Sequence, residues 1–338
     1  MVKQFSFFIA LFLVTESFAG VGQSALPGIL HTIASERMGP WGTNIAAQSW
    51  RIFDNDQYFQ NDQISTPSNT YRVDNLFSLS NYVALALGLP GGVSLSMTMP
   101  IYYEKTSFAG DDHPGLYLGD ARLKATWVLP QQKWVHWLSG LAGVGINLGT
   151  STTGQGYVVR ELEYAFAQEG CYLYSCGSRN TGLQFTNLEF RLGTTADFSK
   201  AIPNKPKIHI NYFYHLTGLF SPGIGPYKVH NDDVYDIQGM TLAGEILLWY
   251  NLFAFTEYRH EQRRNSDYEE RADLHQISYG LLWNSPLGFG FQGGVSHGIF
   301  NDKYAQGRYA TSEGNDVATY GFKTPDLQFF TGATWTIF

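Results

Sequence analysis

The stretch Val93-Ser94-Leu95-Ser96-Met97-Thr98-Met99-Pro100-Ile101-Tyr102-Tyr103 decides the fold. Val93, Leu95, Met97, Met99 and Ile101 alternate with Ser94, Ser96 and Thr98. A period of two puts the apolar set on one face of a strand and the small hydroxyls on the other. The run is about twice as long as the usual soluble strand of roughly 5–6 residues. It matches the roughly 9–11 residues that a tilted strand needs to cross the hydrocarbon of a membrane.

Outward from that stretch the same alternation recurs. Ala121, Leu123, Ala125, Trp127 and Leu129 alternate with Asp120, Arg122, Lys124 and Thr126. Ile208, Ile210, Tyr212, Tyr214 and Leu216 alternate with His209, Asn211 and His215, and Phe289, Phe291, Val295 and Ile299 with Gly290, Gln292, Gly294, Ser296 and Gly298. The pattern predicts twelve strands, near 41–53, 71–88, 93–103, 116–129, 138–149, 183–198, 208–220, 236–248, 252–262, 274–284, 288–300 and 327–338. Their connections alternate between long (54–70, 104–115, 150–182, 221–235, 263–273, 301–326) and short (89–92, 130–137, 199–207, 249–251, 285–287). Outer-membrane barrels have this asymmetry, with tight periplasmic turns and long outer loops. The expected fold is therefore all-β: a transmembrane antiparallel up-and-down β-barrel over residues 41–338, preceded by a periplasmic lead-in at 20–40.

Composition agrees with a lipid-facing exterior. Charged residues make up 15% of the chain and aromatics 16%, with 36 glycines, against roughly 25% charged in a typical soluble domain. Trp134, Trp137, Trp249 and Trp283 fall at the short turns, with Trp41 and Trp127 close by, and Tyr102, Tyr103, Tyr214 and Tyr258 fall near the other rim. Two aromatic girdles are expected of a barrel. The start of the chain reads as an export signal: Lys3, an apolar run from Phe5 to Val14, then Ser17-Phe18-Ala19, with cleavage expected between Ala19 and Gly20. Export places the chain in the cell outer membrane, in contact with its lipid. In that oxidising envelope Cys171 and Cys176 are expected to close a small disulfide loop.

The net charge of −7, without basic tracts, excludes a nucleic-acid binder as the natural reading. No cofactor is implied: Gly143, Gly145 and Gly149 share one strand face, and no helical pattern follows them as a dinucleotide site requires. Asp111-Asp112-His113 and His230-Asn231-Asp232-Asp233 sit in expected outer loops and read as solvated, so no metal site is assigned. An enzyme is not expected. A hydrolase of this architecture needs a base and a hydroxyl on one strand face, whereas Ser296 and His297 are adjacent and His215 pairs only with Thr217.

The charges on the polar strand faces carry more information. Asp120, Arg122 and Lys124 lie on one strand, Glu189 and Arg191 on a second, and Glu257, Arg259 and Glu261 on a third, with His209 on a fourth. Facing lipid, each would cost about 2–4 kcal/mol near the midplane, so they are expected to line the lumen. There they either pair to fill the interior or select a solute.

Two stretches resemble a known family. Leu118-Gly119-Asp120-Ala121-Arg122-Leu123-Lys124, followed by Val144-Gly145-Ile146-Asn147-Leu148-Gly149, is similar to the Gly-Asp-leading strand and later Gly-rich strand of the "meta-pathway of phenol degradation" outer-membrane proteins. The resemblance implies a barrel that helps small, often aromatic or hydrophobic, compounds cross the outer membrane, and carries over no catalytic residues. The closing strand, ending on Phe338, also resembles the C-terminal strand that the barrel-insertion machinery reads, although its more apolar face is Ile337, Trp335 and Ala333. The expected function is a channel for passive passage of a small-molecule solute; the alternative is a plugged barrel acting through its outer loops.

Overall fold

The computed structural model describes residues 31–35, 37–54, 63–65, 70–108, 111–118, 121–129, 135–148, 186–220, 236–265, 270–299, 307–310, 316–320 and 327–337. Ala19, Gly20, Asp120, Trp134, the Cys171 and Cys176 pair, His230 to Asp233 and Phe338 lie outside the described residues.

Twelve wall positions form a closed antiparallel barrel. In chain order they are β1 (Thr43–Asp54), β2 (Thr70–Leu89), β3 (Val93–Phe108), β4 in two pieces (Asp111–Leu118 and Arg122–Val128), β5 (Leu138–Leu148), β6 (Thr186–Asp197), β7 (Lys207–Phe220), β8 (Asp236–Trp249), β9 (Leu252–Asn265), β10 (Glu270–Asn284), β11 (Phe289–Gly298) and β12 (Leu327–Ile337). Each strand pairs with its neighbours in sequence, and β1 closes the ring on β12 in a register running from Thr43 opposite Ile337 to Phe53 opposite Leu327. Closure joins the first and last strands, and a sheet without open edges is the condition for sitting in hydrocarbon.

One expected connection is not a loop. Residues 104–108 and 111–115 continue the β3–β4 pairing, with Phe108 opposite Asp111. The pairing persists there through Glu104, Lys105, Asp111 and Asp112, polar positions that carry no period-two apolar signal. A short hairpin, Gly307–Ala310 with Asp316–Tyr320, likewise lies within the expected last long loop, and Gln63–Ser65 pairs with β2 within the first.

The alternation translates directly into two surfaces. On β6, Phe190 and Leu192 point outward and are exposed, while Glu189, Arg191 and Thr195 are buried inside. On β12, Phe329, Trp335 and Ile337 are outward and Gln328, Phe330 and Thr336 inward. The C-terminal strand thus directs Ile337 and Trp335 outward, and its pairing with β1 runs without a register shift as far as Ile337. Trp41, Trp127, Trp137, Trp249, Trp283 and Trp335 are all exposed near the short-turn end. Toward the other end the outward face turns polar. Tyr212, Gln238, Gln262 and Asp273 hydrogen-bond in a row, and His260 reaches the same Asp273 carboxylate at 3.2 Å. This row marks the upper limit of the apolar belt.

Leu192 sits outward in the middle of that belt and is 62% exposed. Leu192→Arg is expected to lower the unfolding free energy in lipid vesicles by about 2–4 kcal/mol relative to Leu192→Ala. Denaturant titration followed by tryptophan fluorescence measures the difference.

Candidate functional site

The candidate site is the barrel lumen, and its main feature is a piece of backbone. The sequence gives only a lead-in before β1; in the structure its described part, residues 31–35, 37 and 38, runs up inside the barrel. Thr32, Ile33, Ala34, Ser35 and Met38 are buried there. The chain turns inward at residues 39–42, where the Trp41 amide donates to the Gly88 carbonyl at 2.7 Å and the Gly88 amide to the Gly42 carbonyl at 2.8 Å. Gly88 is required at that turn, because a side chain there would run into the Gly39 carbonyl. Just inside, Met38 packs on Ala46, Ala84 and Ala86, small residues that leave it room.

Higher up, the described hydrogen bonds of the segment's amides run to wall side chains, since a buried amide needs an acceptor. The Ser35 N–H donates to Thr195 Oγ1 at 2.8 Å and the Ile33 N–H to Asn211 Oδ1 at 3.0 Å. Ile33 also packs on Val128 and Leu141, and the Thr32 and Thr241 hydroxyls meet at 2.9 Å. At His31 and Thr32 the partners become acidic and basic side chains. The Glu257 carboxylate accepts from the Thr32 N–H at 2.7 Å and from the His31 N–H at 3.0 and 3.1 Å. Arg191 Nη1 donates to the His31 carbonyl at 2.9 Å, and Arg259 Nη1 lies 2.7 Å from His31 Nδ1. A guanidinium only donates, so Nδ1 accepts and the His31 ring is neutral.

Beside His31 lies an ionic cluster centred on Glu189. Its carboxylate meets Lys124 Nζ at 3.1 Å, Arg191 Nη2 at 2.9 Å and Arg122 Nη1 at 3.5 Å, with His215 Nε2 at 3.8 Å. Lys124 and Glu189 stand on strands separated by β5, and they touch because Gly145 stands in register between them. A Cβ on Gly145 would lie 3.1 Å from Lys124 Cγ and 3.4 Å from Glu189 Cβ. On β9, Arg259 is paired with Glu261. Phe213 lies beneath both Arg191 and Arg259, whose guanidinium carbons are 5.7 and 5.2 Å from its ring centre. His209 is buried lower down, its Nδ1 2.9 Å from Thr195 Oγ1.

Arg122, Lys124, Glu189, Arg191, Glu257, Arg259 and Glu261 thus share one side of the interior. The other side, β10 to β12 and β1, carries buried Gln276, Ser278, Gln292, Ser296, Gln328, Gln48 and Asn44. Between the two, Trp50, Phe255 and Phe330 form an aromatic cluster, and the His31 ring lies 5.6 Å from Trp50. These aromatics and the inserted segment are absent from the sequence expectation. Parity could have found the rings: Trp50 shares a face with Asn44, Ala46 and Gln48, and Phe330 with Gln328. Ser296 is turned inward to Ser278, whereas His297 packs edge-on against outward Tyr279, so the two cannot act together. Among the described residues no group of three or more His, Cys, Asp or Glu side chains is placed to hold a metal ion.

Neither a family model nor a curated protein matches the sequence. Solved structures do resemble the fold. An outer-membrane channel from Pseudomonas putida superposes with a TM-score of 0.52 at 12% identity, over 89% of this chain and 97% of that one. A monoaromatic hydrocarbon channel, CymD, gives 0.41 at 9% identity over 88% of each chain. The translocator domain of the autotransporter NalP from Neisseria meningitidis gives 0.43 at 10% identity, over 88% of this chain and 89% of that one. The first likeness supports the barrel fold and nothing finer, and the two lower scores add no argument to it.

Gly145→Val is expected to separate Lys124 from Glu189 and lower the unfolding free energy by about 1–3 kcal/mol, the usual effect of overpacking. Gly293→Ala, whose added carbon would meet nothing nearer than 3.6 Å, is the control expected to change little. Parallel denaturant titrations compare the two.

Proposed function

We propose that this chain is an outer-membrane channel for passive passage of a small solute, narrowed by residues 31–38. The observation that carries the reading is the ionic lumen. Burying charges costs several kcal/mol per ion, and apolar replacements of such clusters are often as stable or more so. A barrel built only to stand in a membrane has little use for Lys124, Glu189, Arg191 and Arg259 in its interior; a channel uses lumen side chains to tune selectivity. Among the described residues the inserted segment holds to the wall mainly through hydrogen bonds and a few small apolar contacts.

In this reading the short-turn end faces the periplasm, the leader before Gly20 is removed, and the strand ending at Phe338 is recognised during insertion. The solute is small and carries an aromatic or hydrophobic part. Trp50, Phe213, Phe255 and Phe330 beside the segment support that, as does the resemblance to barrels of aromatic-compound uptake. Arg122, Lys124, Glu257 and Arg259 select among solutes. A second reading is favoured by the segment itself: a barrel whose lumen stays plugged and whose outer loops bind a partner.

Single-channel recording in planar bilayers separates the two. The mature chain is expected to give small discrete steps, and a variant lacking residues 20–35 to give steps several-fold larger. Silence from both proteins, each shown to be folded and inserted, would overturn the channel reading in favour of the plugged barrel.

A further inference from the structure

We propose that the lipid-facing side of β7 to β10 is a binding surface for lipopolysaccharide, which seats its sugar-phosphate headgroup on a polar row and its acyl chains below. The inference rests on the orientation proposed for the channel, with the short turns toward the periplasm. The row is hydrogen-bonded from strand to strand. Tyr212 Oη donates to Gln238 Oε1 at 3.2 Å, Gln238 Nε2 to Gln262 Oε1 at 2.7 Å, and Gln262 Nε2 to Asp273 Oδ1 at 3.0 Å. His260 Nε2 lies 3.2 Å from the same Asp273 oxygen. Its ring stacks on His275 at 4.7 Å, and Tyr258 Oη stands 2.7 Å from His275 Nδ1. Register puts these residues on one face: Gln238 is opposite Gln262, Gln262 opposite Asp273, and His260 opposite His275. That face is the lipid side, because Met240, Leu242 and Tyr279 on it are exposed while Glu257 and Glu261 of β9 are buried within.

The height of the row decides what it meets. Ten residues separate Trp283, in the girdle at the short turns, from Asp273. At about 3.4 Å per residue and a tilt of about 40°, they climb about 26 Å, against about 25 Å for the apolar band of a barrel. The row therefore stands where acyl chains give way to the headgroups of the outer leaflet. It is also local. Ten residues above its own turn β5 presents exposed Leu148, and β3 presents Tyr103 opposite Leu116, both exposed. The edge of a belt explains a loss of apolar side chains all round, and not a joined set of amides, carboxylate and imidazoles on one side.

A glycolipid headgroup matches that set. Amides, imidazoles and phenols donate and accept, and a carboxylate accepts, as neighbouring sugar hydroxyls require. Three strand spacings of about 4.8 Å make the row about 14 Å wide, room for a disaccharide. Two residues further along each strand, Arg264 stands in register with Arg271 on one side and Asp236 on the other, a rung of net positive charge at the level of the phosphates. A phospholipid has one phosphate and no hydroxyl-bearing sugar ring, and leaves most of the row unused.

The test is native mass spectrometry of the detergent-purified protein, titrated with deep-rough lipopolysaccharide and, separately, with phosphatidylglycerol. Lipopolysaccharide is expected to bind saturably and at least tenfold more tightly than phosphatidylglycerol. The double variant His260→Leu, Gln262→Leu, which extends the apolar belt, is expected to weaken that binding at least tenfold. Leu148→Gln on β5 is expected to leave it unchanged, and heat-modifiable migration on gels shows that each variant is folded. Equal affinity for phosphatidylglycerol, indifference to the double variant, or a stable oligomer that the double variant disperses would each overturn the proposal. Conductance is read apart from binding. A protein that conducts and binds no lipopolysaccharide overturns this inference alone; one that binds it and never conducts overturns only the channel.

Discussion

A backbone amide away from water must be hydrogen-bonded, and this structure meets that demand in two different ways. The wall meets it by closure, each strand paired on both sides and β1 joined to β12. The segment at residues 31–35 takes acceptors from wall side chains: Glu257, Asn211 and Thr195. The first solution is built from backbone and tolerates many side chains. The second depends on particular residues at particular heights, which is why the lumen, unlike the lipid face, cannot be read as a simple polar surface.

The interior is accordingly two-sided. From β4 to β9 it is ionic, with Glu189 shared among Lys124, Arg191 and Arg122. From β10 through β12 to β1 it is neutral, built from amides and hydroxyls such as Gln292, Gln48, Ser278 and Ser296. The segment lies between, tied to the ionic side by its backbone and touching the aromatic cluster through His31 and Trp50. Removing Glu189 would leave buried Lys124 and Arg191 without their shared carboxylate, at a cost of about 3–5 kcal/mol. His31 and the wall are coupled through Arg191, which bonds both the His31 carbonyl and Glu189.

The barrel was legible because its signal is local and repeated. Alternation in Val93–Tyr103 needs only neighbouring residues, and both lipid and lumen impose it along each strand. Strand limits were legible where apolar residues stop and not where pairing continues beyond the membrane, as between Phe108 and Asp111. The charges at Glu189, Arg191 and Glu257 could be placed on one face each, but their mutual contacts could not. Lys124 reaches Glu189 over a glycine from a strand two places away. The inserted segment left no signal: His31 meets Glu257 across 226 positions of sequence, and five ordinary residues from His31 to Ser35 give no hint of such partners.

Residues 31–35 lie inside the barrel, with Thr32 against β8 and β9. The most direct test joins them to it. With Cys171 and Cys176 replaced by serine, Thr32→Cys and Thr241→Cys replace two hydroxyls that stand 2.9 Å apart. Mild oxidation of the membrane-inserted protein is expected to form a disulfide between positions 32 and 241, read by mass spectrometry of the digested chain. Two free thiols that both react with a membrane-impermeant maleimide, and no cross-linked peptide, would contradict the account.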